Sequence, residues 1–128
     1  MRHKILIIDD DIDLVEAMRL TLENAGFDVI DAQDGQKGLE KIERENPDLV
    51  ILDVMMETQD EGFHIAYQIR SNEKTADLPI LMLTAVGAET GFKFDKEKDE
   101  DFLPVNEFIE KPVNHDKLIE LVQKNLRR

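Results

Sequence analysis

Three short aliphatic runs, Ile5 to Ile8, Leu49 to Leu52 and Ile80 to Leu83, restrict this chain more than any other feature. Each is too short for a helix and lacks the apolar–polar alternation of a strand with one wet face. Unbroken apolar runs of this length, rich in Ile, Leu and Val, suit strands buried on both sides, as in a parallel sheet. Phe27 to Ala32 and Glu107 to Glu110 are weaker strand candidates. Polar residues interrupt them, so they read as sheet edges.

Helical patterns fall between the strands. Leu14, Met18 and Leu22 recur at four-residue spacing, and Gly26 follows as a stop. Asp34 is a candidate cap for a second helix carrying Leu39 and Ile42 and ended by Pro47. Phe63, Ala66, Tyr67 and Arg70 fall on one side of a third helix, with Ile65 and Ile69 on a neighbouring side. The stretch from Ala85 to Asn106 holds Gly87, Gly91 and the charged run Asp95 to Asp101, and reads as a short helix flanked by loops. Asn114 is positioned to cap a last helix with Leu118, Leu121, Val122 and Leu126 as its inner stripe. Strands alternating with helices imply βαβ units with right-handed crossovers, hence an α/β fold with helices on both faces of a parallel sheet.

A length of 128 residues suits one domain with one core, spanning residues 1–128. Cysteine is absent, which removes disulfides and thiolate metal sites from consideration. The N-terminus reads Met1-Arg2-His3-Lys4 before a short apolar run, too little for a signal peptide. No apolar run approaches the roughly 20 residues of a membrane span. A cytoplasmic location is expected. The net charge of -13 argues against nucleic acid and anionic membranes as partners of this domain.

In an open parallel sheet, ligands collect beyond the carboxyl ends of the strands. Strand one is followed by Asp9-Asp10-Asp11, strand three by Asp53, strand four by Thr84 and strand five by Lys111-Pro112. Each has a plainer reading alone. Asp10 or Asp11 would cap the first helix, Asp53 would be a turn residue, Thr84 an ordinary strand residue and Lys111 a surface lysine. Together they form a chemical set. Crowded carboxylates repel and raise one another's pKa values, and a divalent cation removes that penalty. Oxygen donors without cysteine or histidine favour Mg²⁺ or another hard ion such as Mn²⁺. A carboxylate in such a set can act as nucleophile toward a phosphoryl group, with Lys111 pairing the same group and Thr84 offering a hydroxyl. His3, His64 and His115 have no ligand spacing and read as surface residues.

These segments resemble the receiver family of two-component signalling over nearly the whole chain. The resemblance rests on Ile5 to Asp11, Pro47 to Met56, Pro79 to Ala85 and Phe108 to Pro112, in that order. It implies a flavodoxin-like, doubly wound five-stranded sheet of order 2-1-3-4-5. It implies phosphorylation of Asp53 by a sensor histidine kinase or phosphotransfer protein, and control of a downstream protein target. The domain would promote its own phosphorylation and dephosphorylation without turning over an external substrate. Asp10, Asp53 and the backbone carbonyl of Met55 would ligate Mg²⁺, with Asp9 acting through a metal-bound water. Lys111-Pro112 would be cis, and Phe108 would occupy the switch aromatic position. Phosphorylation would draw in Thr84 and Phe108 and change the face made by the short fourth helix, the fifth strand and the last helix.

The chain departs from the family pattern in three places. Glu57 and Glu61 stand where the family usually has proline and glycine, and Gly62 comes one residue late. Phe108 replaces the commoner tyrosine. The span from Thr84 to Lys111 is longer than usual, and between Gly91 and Glu110 seven acids outnumber three bases, which makes a familiar output partner a poor guide. The altered loop motivates a second reading, a receiver-fold binding module that is not regulated by phosphorylation. With the chain ending at the last helix, a stand-alone receiver without a DNA-binding domain is the expectation. A phosphohydrolase or nucleotide-binding enzyme fits poorly, because no Gly-rich phosphate loop follows strand one and Met55 stands where aspartyl phosphatases place a second aspartate.

Overall fold

A computed structural model describes residues 2–53, 61–85 and 105–126. The described elements run β1 (Lys4–Ile8), α1 (Ile12–Asn24), β2 (Asp28–Ala32), α2 (Gly35–Glu45), β3 (Leu49–Asp53), α3 (Glu61–Ser71), β4 (Ile80–Ala85), β5 (Glu107–Lys111) and α4 (His115–Leu126). All strand pairings are parallel and the order is β2-β1-β3-β4-β5. The two interrupted strands, β2 and β5, are the edges. The three aliphatic runs are the centre, and every residue in them is 0% exposed.

Strand alternation sends these residues to two separate cores. Ile5, Ile7, Leu49, Ile51, Leu81, Leu83 and Ile109 pack with Val15, Met18 and Leu22 of α1 and Leu118, Leu121 and Val122 of α4. Leu6, Ile8, Val50, Leu52, Ile80 and Met82 pack on the other face with Ile42 of α2 and Ile65, Ala66 and Ile69 of α3. Gly38 lets α2 lie close to the sheet. A Cβ there would overlap the buried Ile8 side chain, 2.8 Å from its Cγ1.

The helix limits follow local chemistry. Asp11 caps α1, its carboxylate accepting from the Leu14 N–H at 3.2 Å. Asp34 caps α2 through the Lys37 N–H at 2.8 Å, and Asn114 accepts from the Lys117 N–H at 2.9 Å before α4. Asn46, with φ 50°, closes α2 in the left-handed region just ahead of Pro47.

Two helix faces differ from the sequence expectation. The buried side of α3 is Ile65, Ala66 and Ile69, while Tyr67 is 54% exposed. The i, i+4 isoleucine pair forms the stripe and Ala66 admits a close approach; Tyr67 lies one further residue round the helix. In α4 the stripe continues from Leu118, Leu121 and Val122 to Asn125, which is 1% exposed, and Leu126 sits half-buried at its margin. The short helix expected within 85–106 lies outside the described residues, save the ends of that span.

Candidate functional site

Sheet register assembles the site. Ile8 pairs with Leu52, so the next residues, Asp9 and Asp53, stand side by side. Asp53 itself pairs with Leu83, which sets Thr84 one step beyond, and Ala85 pairs with Lys111. Alternation then sorts the side chains. Asp9, Asp53 and Lys111 continue the series that faces α1 and α4, whereas Thr84 and Phe108 belong to the face of α2 and α3. Phe108 is half-buried there against the Met82 cluster.

The carboxylates converge as the sequence predicts. One oxygen from each of Asp9, Asp10 and Asp53 falls within 4.8 Å of the others. Asp9 and Asp53 are buried, at 1% and 4% exposure, while Asp10 is open to solvent. Lys111 reaches across from β5, its Nζ 3.4 Å from Asp53 Oδ1 and 3.9 Å from Asp9 Oδ2. The Lys111-Pro112 bond is cis, as the resemblance implies. Thr84 is half-buried at the end of β4, level with Glu110 of β5. Met55 and Glu57 lie outside the described residues.

Asp9 carries the strain of this crowding. Its Oδ1 accepts the Asp11 N–H at 2.9 Å, but the buried Oδ2 has no hydrogen-bond partner among the described residues. Burial pushes its carboxyl up to about 7. The Asp11 N–H opposes that rise, the Asp53 charge adds to it, and Lys111 opposes it. A protonated Asp9 can donate to Asp53; as carboxylates the two only repel. One lysine does not neutralise three carboxylates. An orphaned buried oxygen within a set of oxygen donors therefore fits a hard divalent cation such as Mg²⁺ or Mn²⁺.

Comparison with known proteins agrees with this geometry. The family model for the response regulator receiver domain matches residues 5–123. The chain belongs to the response regulator receiver family.

This receiver is 38% identical over 127 residues to a protein of Synechocystis named DNA-binding dual master transcriptional regulator RpaA, covering 98% of this chain and 49% of that one. It is 38% identical over 128 residues to the alkaline phosphatase synthesis transcriptional regulatory protein PhoP of Bacillus subtilis, covering 100% of this chain and 50% of the relative. The chain thus spans about half the length of these curated relatives. Among solved structures, one described as a response regulator from Chloroflexus aurantiacus superposes with a TM-score of 0.87 at 33% identity, with 100% of both chains covered. The Vibrio cholerae chemotaxis protein CheY4 superposes at 0.82 with 28% identity, over 97% of this chain and 98% of that one. The doubly wound, flavodoxin-like fold and the place of this chain in two-component signalling stand on these matches. Receivers are regulators, not turnover enzymes, and response regulators work with histidine kinases and downstream targets. No helix among the described residues is long and apolar enough to cross a membrane.

Sequence reasoning missed the residues that brace the site from the opposite end of the sheet. Asn106 Oδ1 accepts from both Arg70 Nη2 at 2.9 Å and the Ile80 N–H at 2.8 Å, tying α3, β4 and the start of β5 together. Arg70 also donates to Leu78 O at 2.6 Å. The signal available was Arg70 itself, a charged residue on a helix side shared with apolar ones.

Proposed function

We propose that this receiver takes a phosphoryl group onto a carboxylate oxygen of Asp53. The donor would be a phosphohistidine on a sensor kinase or phosphotransfer protein. The observation that carries the reading is the carboxylate trio within 4.8 Å, with the Lys111 ammonium 3.4 Å from Asp53. In the transfer an O–P bond forms at Asp53, the P–N bond breaks, and the histidine leaves with a proton.

Asp9, Asp10 and Asp53 would hold Mg²⁺ or Mn²⁺, with the Met55 carbonyl as a further ligand. When bound, the ion supplies positive charge to the carboxylates and to the transferring phosphoryl oxygens. Asp53 is the nucleophile, and its burial beside Asp9 keeps it oriented at the strand end. Lys111 pairs with Asp53 before transfer and with a phosphoryl oxygen after it. Thr84 donates its hydroxyl to another phosphoryl oxygen, and Phe108, on the same sheet face, follows inward. The surface of β5, α4 and the segment before Asn106 then changes, and a downstream protein reads the change. Water attack on the same acyl phosphate resets the domain. The partners so defined place the protein in the cytoplasm. The -13 charge makes this domain a poor ligand for nucleic acid, so any DNA-directed output belongs to other parts of a regulator.

Acetyl phosphate with Mg²⁺ should add one phosphoryl mass to the chain, and Asp53→Ala should not take it up. Labelling that survives in the variant would reassign the acceptor. A parent protein that neither takes label nor binds Mg²⁺ at millimolar levels would instead be a binding module on the receiver fold.

A further inference from the structure

The end of the sheet away from Asp53 holds a polar cavity of about 610 Å³. It lies below the strand starts, and its lining includes Asp48, Arg70, Asp77, Asn125 and Leu126. The phosphoryl chemistry uses none of these residues.

Asn125 is the one polar residue among the buried positions of α4, at 1% exposure. Its Nδ2 donates to Leu121 O at 2.8 Å. Exchanging the amide nitrogen and oxygen would set oxygen against oxygen, so this bond fixes the amide and turns Oδ1 away from the Leu121 carbonyl. That oxygen is buried, and no described residue donates to it. An unpaired buried acceptor destabilises a fold, and native proteins seldom leave one. Asn125 therefore calls for a donor from outside the described residues.

The donor that suits this cavity is cationic. Asp48 and Asp77 bring two carboxylates to the lining against one guanidinium, and Arg70 is already held by Leu78 O and Asn106 Oδ1. The last carbonyls of α4 add the negative end of a helix dipole. Two arginines, Arg127 and Arg128, follow Leu126 directly. Helical spacing separates them. Position 128 is three residues beyond Asn125 and seven beyond Leu121, both buried, whereas position 127 is three beyond Lys124 and seven beyond Glu120, both exposed. Helical side chains lean toward the helix N-terminus, so one at 128 reaches back over 125.

We propose that this cavity is a socket for the Arg128 guanidinium, which donates to Asn125 Oδ1 and pairs with the carboxylates of Asp48 and Asp77. Five N–H donors in a rigid fork let one group serve the amide and the carboxylates together. Arg127 takes no part. Docked in this way, Arg128 fastens the end of α4 to the segments that enter β3 and leave α3. It thereby sets the direction in which the chain leaves the receiver.

The experiment is a urea-unfolding cycle on the full chain. Arg128→Met keeps the aliphatic stem and removes the donors, and Asn125→Leu removes the acceptor. With Arg128 in place, Asn125→Leu breaks a hydrogen bond; with Arg128→Met it removes an acceptor that has lost its donor. The change in folding constant caused by Asn125→Leu should therefore be at least about fivefold more favourable in the Arg128→Met background. Arg127→Met should show no such coupling. Equal effects with and without Arg128 would mean that Asn125 takes its donor from another molecule, and they overturn the proposal. Coupling of the same size to Arg127 overturns it too. Should Asn125→Leu not fold, nitrogen NMR of the parent decides. The Arg128 Nε–H should exchange with solvent at least about tenfold more slowly than that of Arg127, and equal rates refute the socket.

Discussion

Replacing Asp9 with asparagine should stabilise this protein in the absence of divalent metal while weakening its hold on the metal. Asp9 titrates near 3.8 in an unfolded chain and is pushed up to about 7 in the fold, chiefly by burial. Between those values the folded state binds the extra proton. Stability therefore falls as pH rises from about 4 to 7 and stays lower above that. Three pKa units correspond to about 4 kcal/mol. Asparagine removes the charge and keeps Oδ1 for the Asp11 N–H, and its amide can donate toward Asp53. It forfeits the Lys111 attraction across 3.9 Å and must bury an amide, so a net gain of about 1–3 kcal/mol is expected. Urea unfolding in EDTA at pH 8 measures it. At pH 4.5 most of the gain should be gone, because Asp9 of the parent is then protonated in the fold. Saturating Mg²⁺ should reverse the ranking, since a ligand at a hundredfold excess over its Kd adds about 2.7 kcal/mol to the protein that binds it. An Asp9→Asn protein no more stable than the parent at pH 8 in EDTA, or a gain that does not change with pH, would refute this account of the site.

Other substitutions test neighbouring parts of the argument. Lys111→Ala removes a cation 3.4 Å from Asp53 and should tighten Mg²⁺ binding several-fold by calorimetry, while slowing phosphoryl uptake from acetyl phosphate. Gly38→Ala should destabilise the fold by about 1–3 kcal/mol in urea, because its methyl group has only the buried Ile8 side chain to displace. Asn106→Ala strands the Ile80 N–H and one arm of Arg70. It should cost about 2–3 kcal/mol, with hydrogen exchange at Ile80 rising most.

What the sequence made legible follows from physical range. The aliphatic runs declare the central strands, because only burial on both faces tolerates four apolar residues in succession. The polar residues at their ends declare the site, since each strand end is a known position relative to the others once the sheet is parallel. The caps at Asp34 and Asn114 were equally visible, because a cap is a contact over three residues. Contacts between distant segments were not. Nothing near Asn106 marks it as the acceptor shared by Arg70 and Ile80, and nothing around Arg19 marks its reach to Val29. The choice between Asp10 and Asp11 as cap also waited on geometry: Asp11 caps α1, which leaves Asp10 free to join Asp9 and Asp53. In α3, two adjacent apolar faces made the exposed Tyr67 look like a core residue. Met55 and the acidic stretch after Ala85 fall outside the described residues, so their expected roles rest on the resemblance.

The pairing of Ile8 with Leu52 carries one more consequence. A slip of one residue between β1 and β3 would bring Asp10 level with Asp53 and turn every β1 side chain to the opposite face. The buried carboxylate pair would then cease to exist. Any ligand that needs Asp9 and Asp53 together binds the correct alignment alone and lowers its free energy relative to every slipped one. The site therefore proofreads the sheet on which it is built.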